Sequence, residues 1–153
     1  RFRDSIKKYE KWTVSYTKDL RIPMMGYTAA INAVFAILIA GTFLSAELRA
    51  APKDIIIAIN DNAQDGTDIS WLWDVDFDLL GNDSVKSITV SGIRCQYMRL
   101  RLKYVDIPSV LEGDVEKAIR DRVEDGVGNL YVLVNYTALF STRNILKRLE
   151  GEK

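Results

Sequence analysis

No histidine occurs in this 153-residue chain. A Ser-His-Asp or Cys-His catalytic set, or a histidine metal site, therefore cannot be built from this chain alone. The single cysteine, Cys95, rules out an internal disulfide and a cysteine-rich zinc site. Surplus charge is missing as well: 21 Lys plus Arg balance 21 Asp plus Glu. With no net field to hold a polyanion and no RNA- or DNA-binding motif, nucleic acid is not an expected partner. A phosphate-binding loop ending in Gly-Lys-Ser/Thr is absent. There is no repeat and no low-complexity tract, and no secretory signal opens the chain. The composition, 48% hydrophobic and 27% charged, is that of a folded domain rather than a disordered segment. A reduced, cytoplasmic setting fits these absences.

The first fifty residues differ in character from the rest. Residues 1–23 mix charge with Phe2, Tyr9, Trp12 and Tyr16, and residues 12–16 alternate as a strand would. Starting at Arg1 without a methionine, the chain reads as a piece cut from something longer. Residues 24–46 carry no charge, a length that meets the criterion for a transmembrane helix, with Lys18 and Arg21 placing the N-terminus inside. Gly26, Thr28, Asn32, Gly41 and Thr42, together with many alanines, favour instead a helix buried in protein. Its signals run from Tyr27 to Ile39, with Gly41 as the stop. The buried helix is the expectation, and the membrane span is the alternative.

From Asp54 the pattern alternates strand and helix. Residues 54–60 read as a fully buried strand and 72–80 as a short helix ending near Gly81. Residues 85–91 form a second strand. Residues 93–104 form a helix with Cys95, Met98, Leu102 and Val105 at helical spacing. A short strand follows at 109–112. Asp114 caps a helix to about Glu124, with Val115, Ile119 and Val123 on one face. Residues 130–135 are a third buried strand, and 138–149 a last helix capped by Thr137, with basic Lys147 and Arg148 near its end. The expected fold class is α/β: a Rossmann-like, mainly parallel sheet with helices on both faces.

Residues 54–78 concentrate the chemistry. The first strand empties into Asn60, Asp61 and Asn62, followed by Asp65, Gly66 and Asp68. A buried strand ending in a polar loop is the usual place for a site in an open α/β sheet. Asp61 can accept a proton, orient an imidazole or bind a cation. The plainer reading is that these side chains satisfy loop backbone donors. The stretch lacks the glycine and the distant glutamate of an EF-hand loop, so calcium is discounted. Trp71 and Trp73 are core residues if buried and interface anchors if exposed. Of these, core is the expectation. Asn135, Tyr136 and Thr137 close the third strand and open the last helix; Thr137 is a plain N-cap or, as the functional alternative, lies on the same sheet edge as Asp61, near a shared site. Cys95, on the apolar side of its helix with no visible activating base, is a core residue.

Residues 60–77, Asn-Asp-Asn-Ala-Gln-Asp-Gly-Thr-Asp-Ile-Ser-Trp-Leu-Trp-Asp-Val-Asp-Phe, resemble the signature of the MurT family, the Mur-ligase-like subunit of lipid II isoglutaminyl synthase. Val90-Ser91-Gly92-Ile93-Arg94 with residues 98–104, and Leu130-Tyr131-Val132-Leu133 with Tyr136-Thr137-Ala138-Leu139, resemble two further segments of that family in the same order. Gly26-Tyr27 and Asn32-Ala33 are similar to the end of the Mur-ligase central domain, which makes Asn32 a candidate cofactor-binding residue. The resemblance implies residues 1–50 as the end of a central domain and 51–153 as a domain like the Mur ligase C-terminal one. It also implies a GatD-type class I glutaminase as partner and lipid II as substrate. ATP with magnesium would be the cofactors of the full-length family, and the setting would be cytoplasmic, near the inner face of the membrane. The implied activity belongs to the complex: a carbon–nitrogen ligase amidating D-glutamate with glutamine as amide donor. Asp61, with Asp65 as alternate, would complete the partner's glutaminase triad. Asn60, Asn62, Gly66, Asp68, Trp71, Trp73, Tyr136 and Thr137 would form the partner or substrate loops. The chain departs from the family in lacking a P-loop and the four-cysteine zinc ribbon, so alone it is expected to be inactive, and a non-catalytic scaffold is the rival reading.

Overall fold

A computed structural model describes residues 52–61, 68–75, 77–128 and 130–151. The expected apolar helix over 24–46, with Asn32, and the loop residues Asn62, Asp65 and Gly66 lie outside the described residues. Element order is β1 (Lys53–Ala58), two 3-10 helices (Ser70–Trp73 and Phe77–Leu80), β2 (Val85–Ser91), α1 (Cys95–Lys103), β3 (Val110–Leu111), α2 (Val115–Glu124), β4 (Leu130–Val134) and α3 (Tyr136–Gly151).

The four strands form one parallel sheet in the order β3-β2-β1-β4. β1 sits between β2 and β4, with Ile57 opposite Val90 on one side and Leu133 on the other. That central position explains its composition. Residues Ile55, Ile56, Ile57, Ala58 and Ile59 all have no exposed surface. A strand covered on both faces needs a continuous apolar run rather than an alternating one. Burying each isoleucine contributes roughly 1.5–3 kcal/mol.

The pleat sends alternate residues to two separate cores. Ile55, Ile57 and Ile59, with Ile88 and Val90, meet Met98 and Leu102 of α1 and Leu72, Phe77 and Leu80 of the 3-10 helices. On the opposite face Ile56 meets Ala118 and Ile119 of α2, flanked by the half-buried Ile145, Leu146 and Leu149 of α3. Helices therefore cover both faces, as the α/β pattern implies. Among the described residues no helix is long and apolar enough to cross a membrane.

Four local expectations are corrected. The helix expected over 72–80 is two 3-10 helices separated at Asp74 and Val75. The buried residues Leu72, Val75, Phe77 and Leu80 are the reason. On a continuous α-helix Phe77 would lie about 140° around from Leu72, so both could not reach one core. Val123 is exposed: α2 crosses the sheet at Ala118 and Ile119, and its last turn stands in solvent. β4 is half-buried throughout, because among the described strands it pairs with β1 alone. Finally, α3 begins at Tyr136, which puts Thr137 inside its first turn instead of at the cap. The cap expected at Asp114 is present, its carboxylate accepting from the Lys117 N–H at 3.0 Å.

Candidate functional site

The chain leaves β1 and β4 toward opposite faces. After β1 it enters the 3-10 helices on the α1 side, and after β4 it enters α3 on the other side. In a parallel sheet that divergence opens a crevice at the carboxyl ends of the two strands. Asn60 and Asp61 follow β1 there, and Asn135 follows β4.

Asn60 and Asn135 lock the crevice floor. The Asn60 backbone N–H donates to Asn135 Oδ1 at 3.0 Å, and Asn135 Nδ2 donates to the Asn60 carbonyl at 2.6 Å. Asn60 Oδ1 accepts the Ile93 N–H at 2.9 Å from the turn after β2. One asparagine thus joins the ends of three strands, an arrangement an apolar side chain does not provide. Gly92 makes the approach possible. Its φ is +83°, and an added Cβ would stand 2.7 Å from the Ile59 carbonyl and 2.8 Å from Asn60 Oδ1.

Asp61 lies one residue further, its side chain 11% exposed. Its Oδ2 accepts a short charge-assisted hydrogen bond from Arg94 Nη2. Its Oδ1 has no partner among the described residues. Asp61, first through that hydrogen bond, raises Arg94 above its ordinary value. The guanidinium also lies over the Tyr97 ring, 5.1 Å from its centre. Its Nε is buried and unpartnered among the described residues. The result is a carboxylate steadied through one oxygen by a fixed cation, with no partner for the other oxygen among the described residues. Such a group can accept a hydrogen bond from an incoming N–H donor without first reorganising.

The other sequence-predicted residues divide. Asp68 is exposed and serves its own loop: Oδ1 accepts the Ser70 N–H at 2.8 Å, which holds its carboxyl below the usual range. That is the plainer role, a backbone donor satisfied at the start of a 3-10 helix. Trp71 is half-buried against the core, as expected. Trp73 is half exposed, against the expectation of a core residue, and meets Tyr104 edge-on at 5.2 Å. It is left outside because Arg101 occupies the space beneath, its Nε donating to the Leu72 carbonyl and its Nη2 to the Val75 carbonyl. Tyr136 stacks edge-on against Phe140 at 5.8 Å, and Thr137 is half-buried beside it. Cys95 is a buried free thiol in the core. Arg94 and Asn135 were not singled out from sequence. A signal existed for each: an Arg two residues after the Gly that follows β2, and an Asn closing a buried strand.

The turn after β2 is no phosphate cradle. The N–H groups of Gly92, Ile93, Arg94 and Cys95 are taken by Gly113 O, Asn60 Oδ1, Ile59 O and Gly92 O. Free, convergent N–H groups are what a nucleotide phosphate needs at such a place. These residues therefore do not fit ATP. Among the described residues no three acidic or cysteine side chains form a metal site.

A family model described as MurT ligase C-terminal matches residues 39–139. The lipid II isoglutaminyl synthase (glutamine-hydrolyzing) subunit MurT of Staphylococcus aureus (strain COL) is 39% identical over 89 residues, covering 57% of this chain and 20% of that protein. The subunit of the same name from Streptococcus pneumoniae (strain ATCC BAA-255 / R6) is 27% identical over 103 residues, covering 65% of this chain and 23% of that protein. The chain spans about a fifth of the length of these curated relatives.

Proposed function

The chain belongs to the MurT ligase C-terminal family, and from that premise we propose that it is the partner-docking part of a MurT-type subunit of lipid II isoglutaminyl synthase. It docks a GatD-type class I glutaminase and presents Asp61 to that partner's catalytic histidine. The output of the whole complex is ATP- and glutamine-dependent amidation of the D-glutamate in the peptidoglycan stem peptide. Parts of the subunit outside this chain supply the ATP and magnesium site. The complex works on the cytoplasmic side, where a lipid-linked substrate keeps it near the membrane.

The observation that carries this reading is the state of Asp61 at the carboxyl edge of the sheet, with Oδ2 on Arg94 and Oδ1 without a partner among the described residues. A chain with no histidine, and with its one cysteine, Cys95, buried in the core, can contribute only the third member of a Cys-His-Asp set. A carboxylate bonded to an imidazole N–H fixes its tautomer and stabilises the imidazolium formed as the thiol is deprotonated. Arg94 holds Asp61 in place for that contact.

The test is glutaminase turnover of the full-length complex carrying Asp61→Asn or Asp65→Asn. Asp61→Asn is expected to lower turnover on the order of 10³-fold or more, by presenting the wrong hydrogen-bond partner to the imidazole. A loss confined to Asp65→Asn would move the role to the alternate aspartate. Unchanged turnover in both variants would sink the reading. The Arg94 ion pair also favours a second one, a scaffold without chemistry. There the pair is purely structural, and Asp61→Asn alters stability or docking while turnover per complex stays constant.

A further inference from the structure

Four large apolar side chains stand in solvent at and along α1: Ile93, Tyr97, Leu100 and Tyr104, ranging from 45% exposed at Leu100 to 70% at Tyr104. Their spacing of four, three and four residues lines one side of a helix. Trp73 extends the row by its edge-on contact with Tyr104. The buried side of the same helix is formed by Cys95, Met98 and Leu102. α1 is thus apolar on two sides, and the domain's own core uses only one. An aromatic-rich row left open in this way marks an interaction surface.

We infer that this row is the docking surface for a protein partner, the one whose imidazole meets Asp61, and that the partner covers it with an apolar patch rimmed by acidic side chains. The inference rests on the reading of Asp61 given above. Continuity is the first argument. Arg94 binds Asp61 and lies over Tyr97, so a surface that reaches Asp61 lies beside Tyr97 and Ile93. Charge is the second. Residues 92–105 contain Arg94, Arg99, Arg101 and Lys103 and no acidic residue. Arg101 is buried, Lys103 is exposed near the row, and Arg99 is exposed further round the helix toward its buried side. Complementary acidic groups on the partner would set register and speed encounter. An anionic bilayer fits less well, because the exposed Asp74 and Asp78 flank the Trp73 end and Asp106 follows Tyr104.

The experiment is calorimetric titration of the full chain with a GatD-type class I glutaminase, with turnover measured on each complex. Tyr97→Glu with Leu100→Glu is expected to weaken binding by about 30-fold or more, as loss of a central aromatic anchor does. Arg99→Glu with Lys103→Glu touches no core residue and is expected to weaken it by about 10-fold, with the salt dependence reduced. Val123→Glu, on α2, is expected to bind as the unaltered chain does. Asp61→Asn is expected to bind normally and turn over slowly. Undiminished binding by both α1 double variants overturns the docking surface while leaving the Asp61 reading intact. Normal turnover in Asp61→Asn with binding lost in the α1 variants overturns the Asp61 reading and leaves the docking surface standing. Absence of any complex, with the chain instead sedimenting with phosphatidylglycerol vesicles through Tyr97 and Leu100, overturns the inference in favour of a membrane.

Discussion

β1 carries a charged or amide residue beside a carboxylate at each end, and the two ends are put to different use. At the amino end Lys53 has no exposed surface and Asp54 is almost fully buried. Lys53 Nζ donates to Ser84 Oγ at 3.0 Å, and Ser87 Oγ donates to Asp54 Oδ1 at 2.5 Å. Both of these partners come from β2 and the turn before it. At the carboxyl end Asn60 and Asp61 draw partners from the turn after β2 and from Asn135 between β4 and α3, and Asp61 Oδ1 has no partner among the described residues. The same kinds of side chain make buried pairs at one end and a candidate site at the other. In a parallel sheet every crossover leaves from the carboxyl edge, so elements from several strands converge only there.

The largest break in that contrast is expected from Gly92→Ala. Its Cβ would collide with the Ile59 carbonyl in a left-handed backbone, so urea denaturation should show a loss on the order of 2–4 kcal/mol. Gly126→Ala is the control. It shares a positive φ of +70° but meets nothing within 4 Å, and should cost only about 1–2 kcal/mol.

Asn135→Ala comes next. It strands the Asn60 N–H and carbonyl in a largely buried crevice, and a loss of about 2–3 kcal/mol is expected. Ser84→Ala at the amino end removes one hydroxyl partner and should cost about 1 kcal/mol. Equal losses from these two would contradict the asymmetry between the ends.

The smallest effect concerns pH. Burial pushes the Lys53 ammonium below its ordinary 10.5. Between its folded value and 10.5 the unfolded chain holds more of this proton than the fold does, so stability rises with pH through that window. Comparing the chain with Lys53→Met by denaturation at a series of pH values should show the difference shifting in favour of lysine as pH climbs toward 10.5. A flat difference would show that the buried pair holds lysine without an electrostatic cost.

Much of this organisation was legible in the sequence. The uninterrupted Ile55–Ile59 run announces a strand covered on both faces, and its abrupt end in Asn60 and Asp61 points to the site edge. The extents of β2 and α2 and the Asp114 cap follow from local pattern. The stretch 72–80 misled because its apolar spacing satisfies a helix only in pieces, and the break between the pieces is decided by the core it must fill. Trp73 misled because a tryptophan's composition favours burial, whereas Arg101 already fills the space beneath it through two backbone carbonyls. Nothing local to either residue reveals that competition.

By itself, the order of residues determined the elements, their alternation and the absence of any internal histidine chemistry, since these depend on short-range periodicity and on what the chain does not contain. The tertiary structure alone decided that Arg94 meets Asp61 and that Asn135 meets Asn60, pairs 33 and 75 residues apart in the chain. Contacts at such separation are set by strand order. The arrangement β3-β2-β1-β4 brings the ends of β2 and β4 to either side of β1, and so turns an ordinary loop aspartate into one steadied by an arginine from the neighbouring strand's turn.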